Sequence, residues 1–203
     1  MAKKNHALDQ KLIDVAKSEF MKNGYEKASI HEIVRKANMT TGALYTRYKG
    51  KDDLFCSLVQ EVFDTYKENS KDIQDQYLTV QQTKNADAFI QTVQEEFHIY
   101  ETLLKEHYDA CVLFYCKSQG SSIDRMLKQM MDYKIQSTIE YFKSMAKPSA
   151  NVDGVGFLIL EQFHFFQDVL DRGYTHEQSI QCLKLLEIYQ EAGWKAIFEE
   201  VLQ

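Results

Sequence analysis

Two groupings of residues in this 203-residue chain could do chemistry. The first is Thr40-Thr41-Gly42-Ala43-Leu44-Tyr45-Thr46-Arg47-Tyr48-Lys49-Gly50-Lys51, a run of hydroxyls and cations without an acid and with a glycine near its start. Short hydroxyls at a helix start, where free amides also favour phosphate, with cations on the flank, suit a polyanion. The second is a repeated Glu-x-x-His, in Glu95-Glu96-Phe97-His98 and Glu161-Gln162-Phe163-His164. That spacing puts carboxylate and imidazole on one helix face. Carboxylate di-iron bundles use two such pairs plus a glutamate from each of two other helices, for which Glu61 and Glu140 are available.

The first grouping has elements to hold it. Leu8, Leu12, Ala16 and Phe20 recur every four residues with Ile13 alongside, which predicts an amphipathic helix ending at Gly24. Ser29-Ile30-His31-Glu32 has the form of a capping box, with Ser29 bonding the Glu32 amide and Glu32 reaching back. Ile30, Ile33, Val34 and Ala37 give the helix it opens an inner face. Asn38 tolerates the left-handed conformation of a tight turn. Thr40 caps a third short helix whose Leu44 and Tyr48 face inward. Three short helices within 8–48, the last two joined by a turn of about three residues, make a helix-turn-helix, whose third helix reads DNA. Gly42 costs that helix roughly 1 kcal/mol relative to alanine, and lets the backbone approach a duplex closely. Tyr45 and Thr46 suit a phosphate, a base edge or a thymine methyl, and Arg47 and Lys51 suit the DNA backbone. The competing reading is a loop glycine among ordinary solvated cations.

The charge distribution favours the first reading. Residues 1–51 carry eleven basic and five acidic side chains, a net +6, and the remainder carries 13 basic and 25 acidic, a net −12. A basic N-terminal module on an acidic body expects an anionic partner at one end.

The segment Leu12 to Leu54 resembles the DNA-binding domain of the TetR/AcrR family of bacterial transcriptional regulators. The resemblance rests on Phe20, Gly24-Tyr25, Ser29, Ile30, Ile33, Ala37, Thr40, Gly42, Leu44-Tyr45, Tyr48, Lys51 and Leu54, in the family's order and spacing. It implies that Thr40 caps the recognition helix, that Thr41, Gly42 and Thr46 meet bases, and that Tyr45, Arg47 and Lys51 meet phosphate or bases. Ser29 would touch phosphate from the second helix. The sequence departs from the family at Asn38 (usually glycine), Val34 (alanine), Arg47 (histidine) and Tyr48 (phenylalanine). Arg47 keeps a donor and makes its charge permanent. These departures bear on which operator is read.

Beyond residue 51 the chain reads as helix throughout. A long helix starts at Asp52-Asp53, acids suited to its N-terminal dipole. Further helices are expected near 86–117, 122–146 (with Pro148 after it), 152–172 and 176–202, the last two separated by Gly173. The fold class is therefore all-α: a helix-turn-helix domain over 1–51, then a larger helical effector-binding and dimerisation domain over 52–203. The resemblance implies that 152–172 and 176–202 pair with their copies in a homodimer. Phe157, Leu160 and Phe165 add an apolar face to the 152–172 helix beyond what one core needs, consistent with an interface or with a central buried helix. A two-fold dimer suits a palindromic double-stranded DNA operator.

Phe97, His98, Tyr108, Cys111, Tyr115, Met126, Met130, Phe163 and His164 could line a small-molecule pocket, apolar walls with a few polar tips, or could be plain core. The resemblance implies an effector cavity in this domain. Glu96, Glu101, Glu161 and Arg125 are the available counter-charges for a charged effector. In this reading His98 and His164 are core or pocket residues, since Glu-x-x-His recurs by chance in a Glu-rich helical chain and a metal bundle needs no basic helix-turn-helix. Cys56, Cys111, Cys116 and Cys182 lack CxxC spacing and read as free thiols. No P-loop, GxSxG or HExxH suggests catalysis. The sequence thus predicts a regulator rather than an enzyme, with no cofactor or metal; the resemblance implies a repressor released by a small-molecule effector, and a DNA-binding regulator without a small-molecule ligand is the alternative. With no membrane span and no apolar signal segment at Met1-Ala2-Lys3-Lys4, the sequence predicts a cytoplasmic location.

Overall fold

A computed structural model describes residues 6–68, 86–147, 150 and 152–202. Among these residues the secondary structure is entirely helical, as expected: α1 (His6–Lys27), α2 (Ile30–Lys36), α3 (Thr41–Tyr45), α4 (Lys51–Leu58), α5 (60–68), α6 (Ala86–Glu106), α7 (Tyr108–Cys116), α8 (Ser122–Met145), α9 (Val155–Asp171) and α10 (His176–Leu202). None of these helices is long and apolar enough to cross a membrane. Pro148 lies outside the described residues.

Two expected helices are broken. The helix from Asp52 is interrupted at Val59, which closes α4 by a bond from its amide to the Cys56 carbonyl. The segment 86–117 divides at His107 into α6 and α7. Neither break has a glycine or proline to announce it. Both fall close to points where the chain passes between two compact units, residues 1–62 with 109–127 and residues 63–108 with 128–203. The first packing unit is therefore larger than the segment 1–51, because it takes in α4 and the α7 segment.

The first unit is built on the inner faces expected of its short helices. Leu12, Ala16 and Phe20 of α1, Ile33 and Val34 of α2, Leu44 of α3, and Leu54 and Phe55 of α4 are all buried. Phe55 meets Phe20 edge-on at 5.0 Å and Tyr25 at 5.3 Å, so α4 closes the core over the end of α1. Gly24 ends the regular part of α1 with φ 69°, in the left-handed region that favours glycine. The turn it makes lets the Tyr25 amide donate to the Lys117 carbonyl at 2.7 Å.

In the second unit α10 packs on α6 and α9. Its core is an aromatic cluster of Phe89, Tyr141, Phe142, Trp194 and Phe198, with Phe89 stacked on Tyr141 at 5.5 Å and edge-on to Trp194 at 5.2 Å. Gly156 brings α9 against α8: a Cβ there would stand 3.0 Å from both Ile135 and Ile139. Gly173, with φ 70°, turns the chain into α10. A reciprocal capping box that the sequence reading missed then opens that helix. The Gln178 amide donates to Thr175 Oγ1 at 3.2 Å, and the Thr175 amide donates to Gln178 Oε1 at 2.9 Å.

Candidate nucleic-acid interface

The recognition element is held by two caps and one left-handed residue. Ser29 caps α2, accepting from the Glu32 amide at 3.5 Å. The return half of the expected box is not made. Glu32 turns instead to Arg35, at 2.6 and 3.2 Å, and the Ser29 amide is directed at the Glu19 carboxylate of α1. Ala37 caps the other end of α2, and Asn38 follows with φ 55°, the one non-glycine left-handed residue among those described. The Met39 amide then closes back on the Val34 carbonyl at 2.8 Å. Thr40 caps α3 by accepting from the Ala43 amide at 3.1 Å. With Leu44 the buried residue of α3, its remaining side chains face outward.

Glu19 ties this arrangement to α1. Its carboxylate is buried, accepts from Lys36 at 2.7 Å and from Asn23 at 2.7 Å, and receives the Ser29 amide. The Lys36 bond leads in holding its pKa below the ordinary carboxylate value against the opposing effect of burial. No local pattern announces this clamp, because Glu19 and Lys36 are 17 positions apart and on different helices.

The residues expected to meet DNA divide into two groups. Thr40, Gly42, Tyr45 and Thr46 are exposed, Tyr45 to 54% despite its ring, and Thr41 is half-buried beside them. They form a continuous outer surface on α3. A Cβ on Gly42 would meet only Thr40 Oγ1, at 4.0 Å, and Gly42 does not have the positive φ that demands glycine. The chain's own packing thus does not require this glycine. Ser29, Arg47 and Lys51 are already engaged. Ser29 is half-buried in its cap. Arg47 donates from Nε to Asp9 at 2.5 Å and from Nη1 to the Ala43 carbonyl at 2.9 Å. Lys51 donates to the Glu26 carbonyl at 3.0 Å with its ammonium 4.6 Å from the centre of the Tyr25 ring. Burial pulls its pKa below the usual lysine value, which nearby Glu26 partly offsets.

The positive charge of the first unit is therefore less bare than its sequence implied. Lys17 pairs with Asp109, Arg35 with Glu32, Lys36 with Glu19 and Arg47 with Asp9, while Lys22, Lys27 and Lys49 are exposed. Asp52 joins α4 to the start of α8 within the same unit. It accepts from the Ser122 amide at 2.9 Å and from the Tyr25 hydroxyl. Burial acts to raise its pKa, and these donors hold it lower on balance.

Of the nine residues nominated for an effector pocket, Cys111, Tyr115 and Met126 belong to the first unit. Phe97, His98, Tyr108, Met130, Phe163 and His164 belong to the second. Phe97 is buried, and Tyr108 donates to the Tyr174 carbonyl at 3.0 Å and stacks on His176 at 4.2 Å. Burial pushes the Cys111 thiol up to about 12, so it is a core thiol, not a reactive one. His98 and His164 are exposed, contrary to their reading as core or pocket residues, because each sits on the outward side of its helix. Sequence spacing could not reveal one buried polar cluster of the second unit. Glu96 receives both the Lys134 ammonium, at 2.6 Å to Oε2, and the Tyr100 hydroxyl, at 3.0 Å.

The di-iron reading fails on this geometry. Glu61, Glu140, Glu161, His98 and His164 are exposed, where ligands of a bundle metal centre must converge inward. No group of three or more His, Cys, Asp or Glu side chains among the described residues is placed to hold a metal ion.

Residues 12–58 match the profile of a family described as bacterial regulatory proteins, tetR family. The chain is 27% identical over 143 residues to the HTH-type transcriptional regulator QacR of Staphylococcus aureus (strain Mu50 / ATCC 700699), covering 67% of this chain and 69% of that protein. It is 37% identical over 67 residues to the A-factor receptor protein of Streptomyces griseus, covering 32% of this chain and 24% of that one. Its fold is similar to a TetR-like transcriptional regulator from Rhodococcus sp. RHA1, with TM-score 0.53 and 16% identity over 92% of this chain and 96% of that one.

Proposed function

We propose that this chain, whose residues 12–58 match the tetR family profile, is a TetR-family regulator: a cytoplasmic, homodimeric transcriptional repressor, released from a palindromic operator by a small-molecule effector. The observation that carries this reading is α3 itself. It is a capped, five-residue helix that turns Gly42, Tyr45 and Thr46 outward, with a glycine that the chain's own packing does not require. A ring exposed to 54% and a helix-weakening glycine on one small surface are costs to the free protein that contact with DNA would offset.

In this reading residues 1–51 are the DNA-binding domain and 52–203 the effector and dimerisation domain. Thr40, Thr41, Gly42, Tyr45 and Thr46 meet the major groove, with Ser29, Arg47 and Lys51 toward the phosphates. Exposed Phe157 and Phe165 on α9 and Leu185, Ile188 and Tyr189 on α10 supply the dimer face. A two-fold dimer presents two α3 helices to successive grooves. An effector shifts the protein away from the DNA-competent spacing only in proportion to its different affinities for the two states. The likeness to QacR, a transcriptional regulator by name, extends over 143 residues and so beyond the helix-turn-helix, which supports a regulatory role for the chain as a whole.

The test is fluorescence anisotropy of the purified protein on DNA fragments flanking its own gene, at two salt concentrations, beside a scrambled duplex. Tight binding to one fragment that survives the higher salt is the expected result. Weak binding to every fragment, erased by salt, would reduce the site to a basic patch meeting phosphates.

A further inference from the structure

Arg47 follows directly on α3 and its cap, and in the free protein two of its three guanidinium nitrogens are already engaged. Nε donates to Asp9 Oδ1 on α1 at 2.5 Å, and Nη1 donates to the Ala43 carbonyl at 2.9 Å and to Thr46 Oγ1 at 3.4 Å. These bonds engage Nε and Nη1, one nitrogen from each bidentate edge of the guanidinium, so that neither edge is free as a pair while Nη2 remains. Although the residue as a whole is exposed, its side chain is only 27% exposed and that of Asp9 29%, because the two fold onto each other. The same network holds Thr46, whose hydroxyl donates to the Ala43 carbonyl at 2.8 Å. Asp9 thus holds one of the side chains expected at the DNA, and Arg47 in turn makes a 3.4 Å contact with Thr46. Asp9 lies 38 positions from Arg47, in a helix that otherwise serves as scaffold.

We propose that Asp9 is a specificity-determining positioning residue. Its carboxylate stands where a DNA phosphate would otherwise stand, and withholds Arg47 from duplex of arbitrary sequence. This inference rests on the DNA-binding reading above. A carboxylate and a phosphate compete for the same fork geometry, so a duplex gains Arg47 only where docking brings an acceptor close enough to displace Asp9. Loose, sequence-independent association depends almost wholly on phosphate neutralisation and counterion release. It is therefore the mode of binding that loses most when one cation is masked. The Lys36–Glu19 pair does not act in this way, because Glu19 is buried inside the first unit and Lys36 serves the clamp.

The experiment is a salt titration of binding to a fluorescein-labelled duplex of scrambled sequence. The proteins are wild type, Asp9→Asn, Arg47→Gln and the double variant, with thermal unfolding of each as the check on folding. Asp9→Asn keeps the size of the side chain and frees Arg47. It should steepen the slope of log K against log salt by about 0.9 for each cation added per protomer. Affinity at low salt should rise by roughly threefold or more over the range in which one such contact matters. Arg47→Gln alone should change the slope little, because Arg47 is masked, and in the double variant the gain from Asp9→Asn should disappear. A structural role for Asp9 at the start of α1 would shift the unfolding temperature and leave the slope alone.

Three results would overturn the proposal. One is an unchanged slope in Asp9→Asn. Another is an equal gain from Asp9→Asn when Arg47 is already Gln, which would mark a bare charge effect. The third is a full unit of slope lost in Arg47→Gln alone, which would mean Arg47 already rests on phosphate. If wild-type protein binds no duplex at all, the DNA-binding reading itself fails and takes this inference with it. Wild-type binding with an unaltered Asp9→Asn slope removes the inference alone.

Discussion

Lys51 holds its ammonium 4.6 Å from the centre of the Tyr25 ring while donating to the Glu26 carbonyl at 3.0 Å, so the first residue of α4 caps the end of α1. Tyr25 in turn packs against Phe55 and donates to Asp52. A side chain whose type and position suggested a phosphate contact is thus also part of the frame that presents α3.

That dual role separates two substitutions that the sequence alone treats alike. Lys51→Ala removes a cation–π contact and a hydrogen bond to a helix-end carbonyl, and should cost about 1–2 kcal/mol of stability along with affinity for the operator. Tyr45→Ala removes an exposed ring and should lose operator affinity with stability within about 0.5 kcal/mol of wild type. Thermal unfolding and anisotropy on the same samples would check both. An unchanged melting temperature in Lys51→Ala would show that the Tyr25 contact contributes nothing.

Gly42→Ala is expected to move stability and function in opposite directions. The added methyl meets nothing nearer than Thr40 Oγ1 at 4.0 Å, and alanine is the better helix former, by up to about 1 kcal/mol. The variant should therefore be as stable as wild type or more so, yet bind the operator at least tenfold more weakly. Wild-type DNA affinity in this variant would mean that no duplex approaches the backbone at Gly42.

Glu19 should leave a mark on acid stability. Lys36 leads in lowering its pKa below the ordinary 4.5 in the folded state, so the stabilisation it provides is complete only once the pH is well above that value. It is lost as pH falls through the lowered folded value. Glu19→Gln should begin less stable at neutral pH by about 1–3 kcal/mol, since it leaves Lys36 unpaired and weakens the hold on the Ser29 amide. The gap to wild type should then narrow on acidification. Urea unfolding at several pH values would measure it, and a gap independent of pH would exclude the ionised carboxylate as its source.

The exposed apolar side chains of α10 predict the oligomeric state. Leu185, Ile188 and Tyr189 are each exposed to between 65% and 69%, large apolar groups on successive turns of one helix. Leu185→Glu or Ile188→Glu should convert a dimer to monomer in sedimentation velocity, with secondary structure unchanged. Operator binding should weaken because a monomer engages only one half-site. A dimer that persists in both variants would move the interface elsewhere.

Much of the first unit was legible because its instructions are local. The Ser29 and Thr40 caps, the left-handed Asn38, the turn at Gly24 and the four-residue spacing of Leu12, Ala16 and Phe20 each act within one helical turn of themselves, and each is where its type implied. The surplus apolar face of α9 was legible in part, since helical period separates the exposed Phe157 and Phe165 from the buried Ile159, Phe166 and Val169, while Leu160, expected on the same face, is half-buried. Misreadings arose where a residue's role depended on a distant partner. Glu32 pairs with Arg35 because Glu19 already receives the Ser29 amide. His98 and His164 share the spacing of metal ligands and face outward, since spacing fixes which residues lie on one face of a helix but not which way that face points.

By itself, then, the sequence determined an all-α chain, a helix-turn-helix at its basic end and the residues that α3 turns outward, because capping, turn chemistry and helical period are short-range. Only the tertiary structure decided where the longer helices break and which acid each cation meets. It joined Glu19 to Lys36, Asp9 to Arg47 and Glu96 to Lys134. Such pairings bring together residues 17 to 38 positions apart, and their geometry comes from the packing of whole helices, which no local pattern encodes.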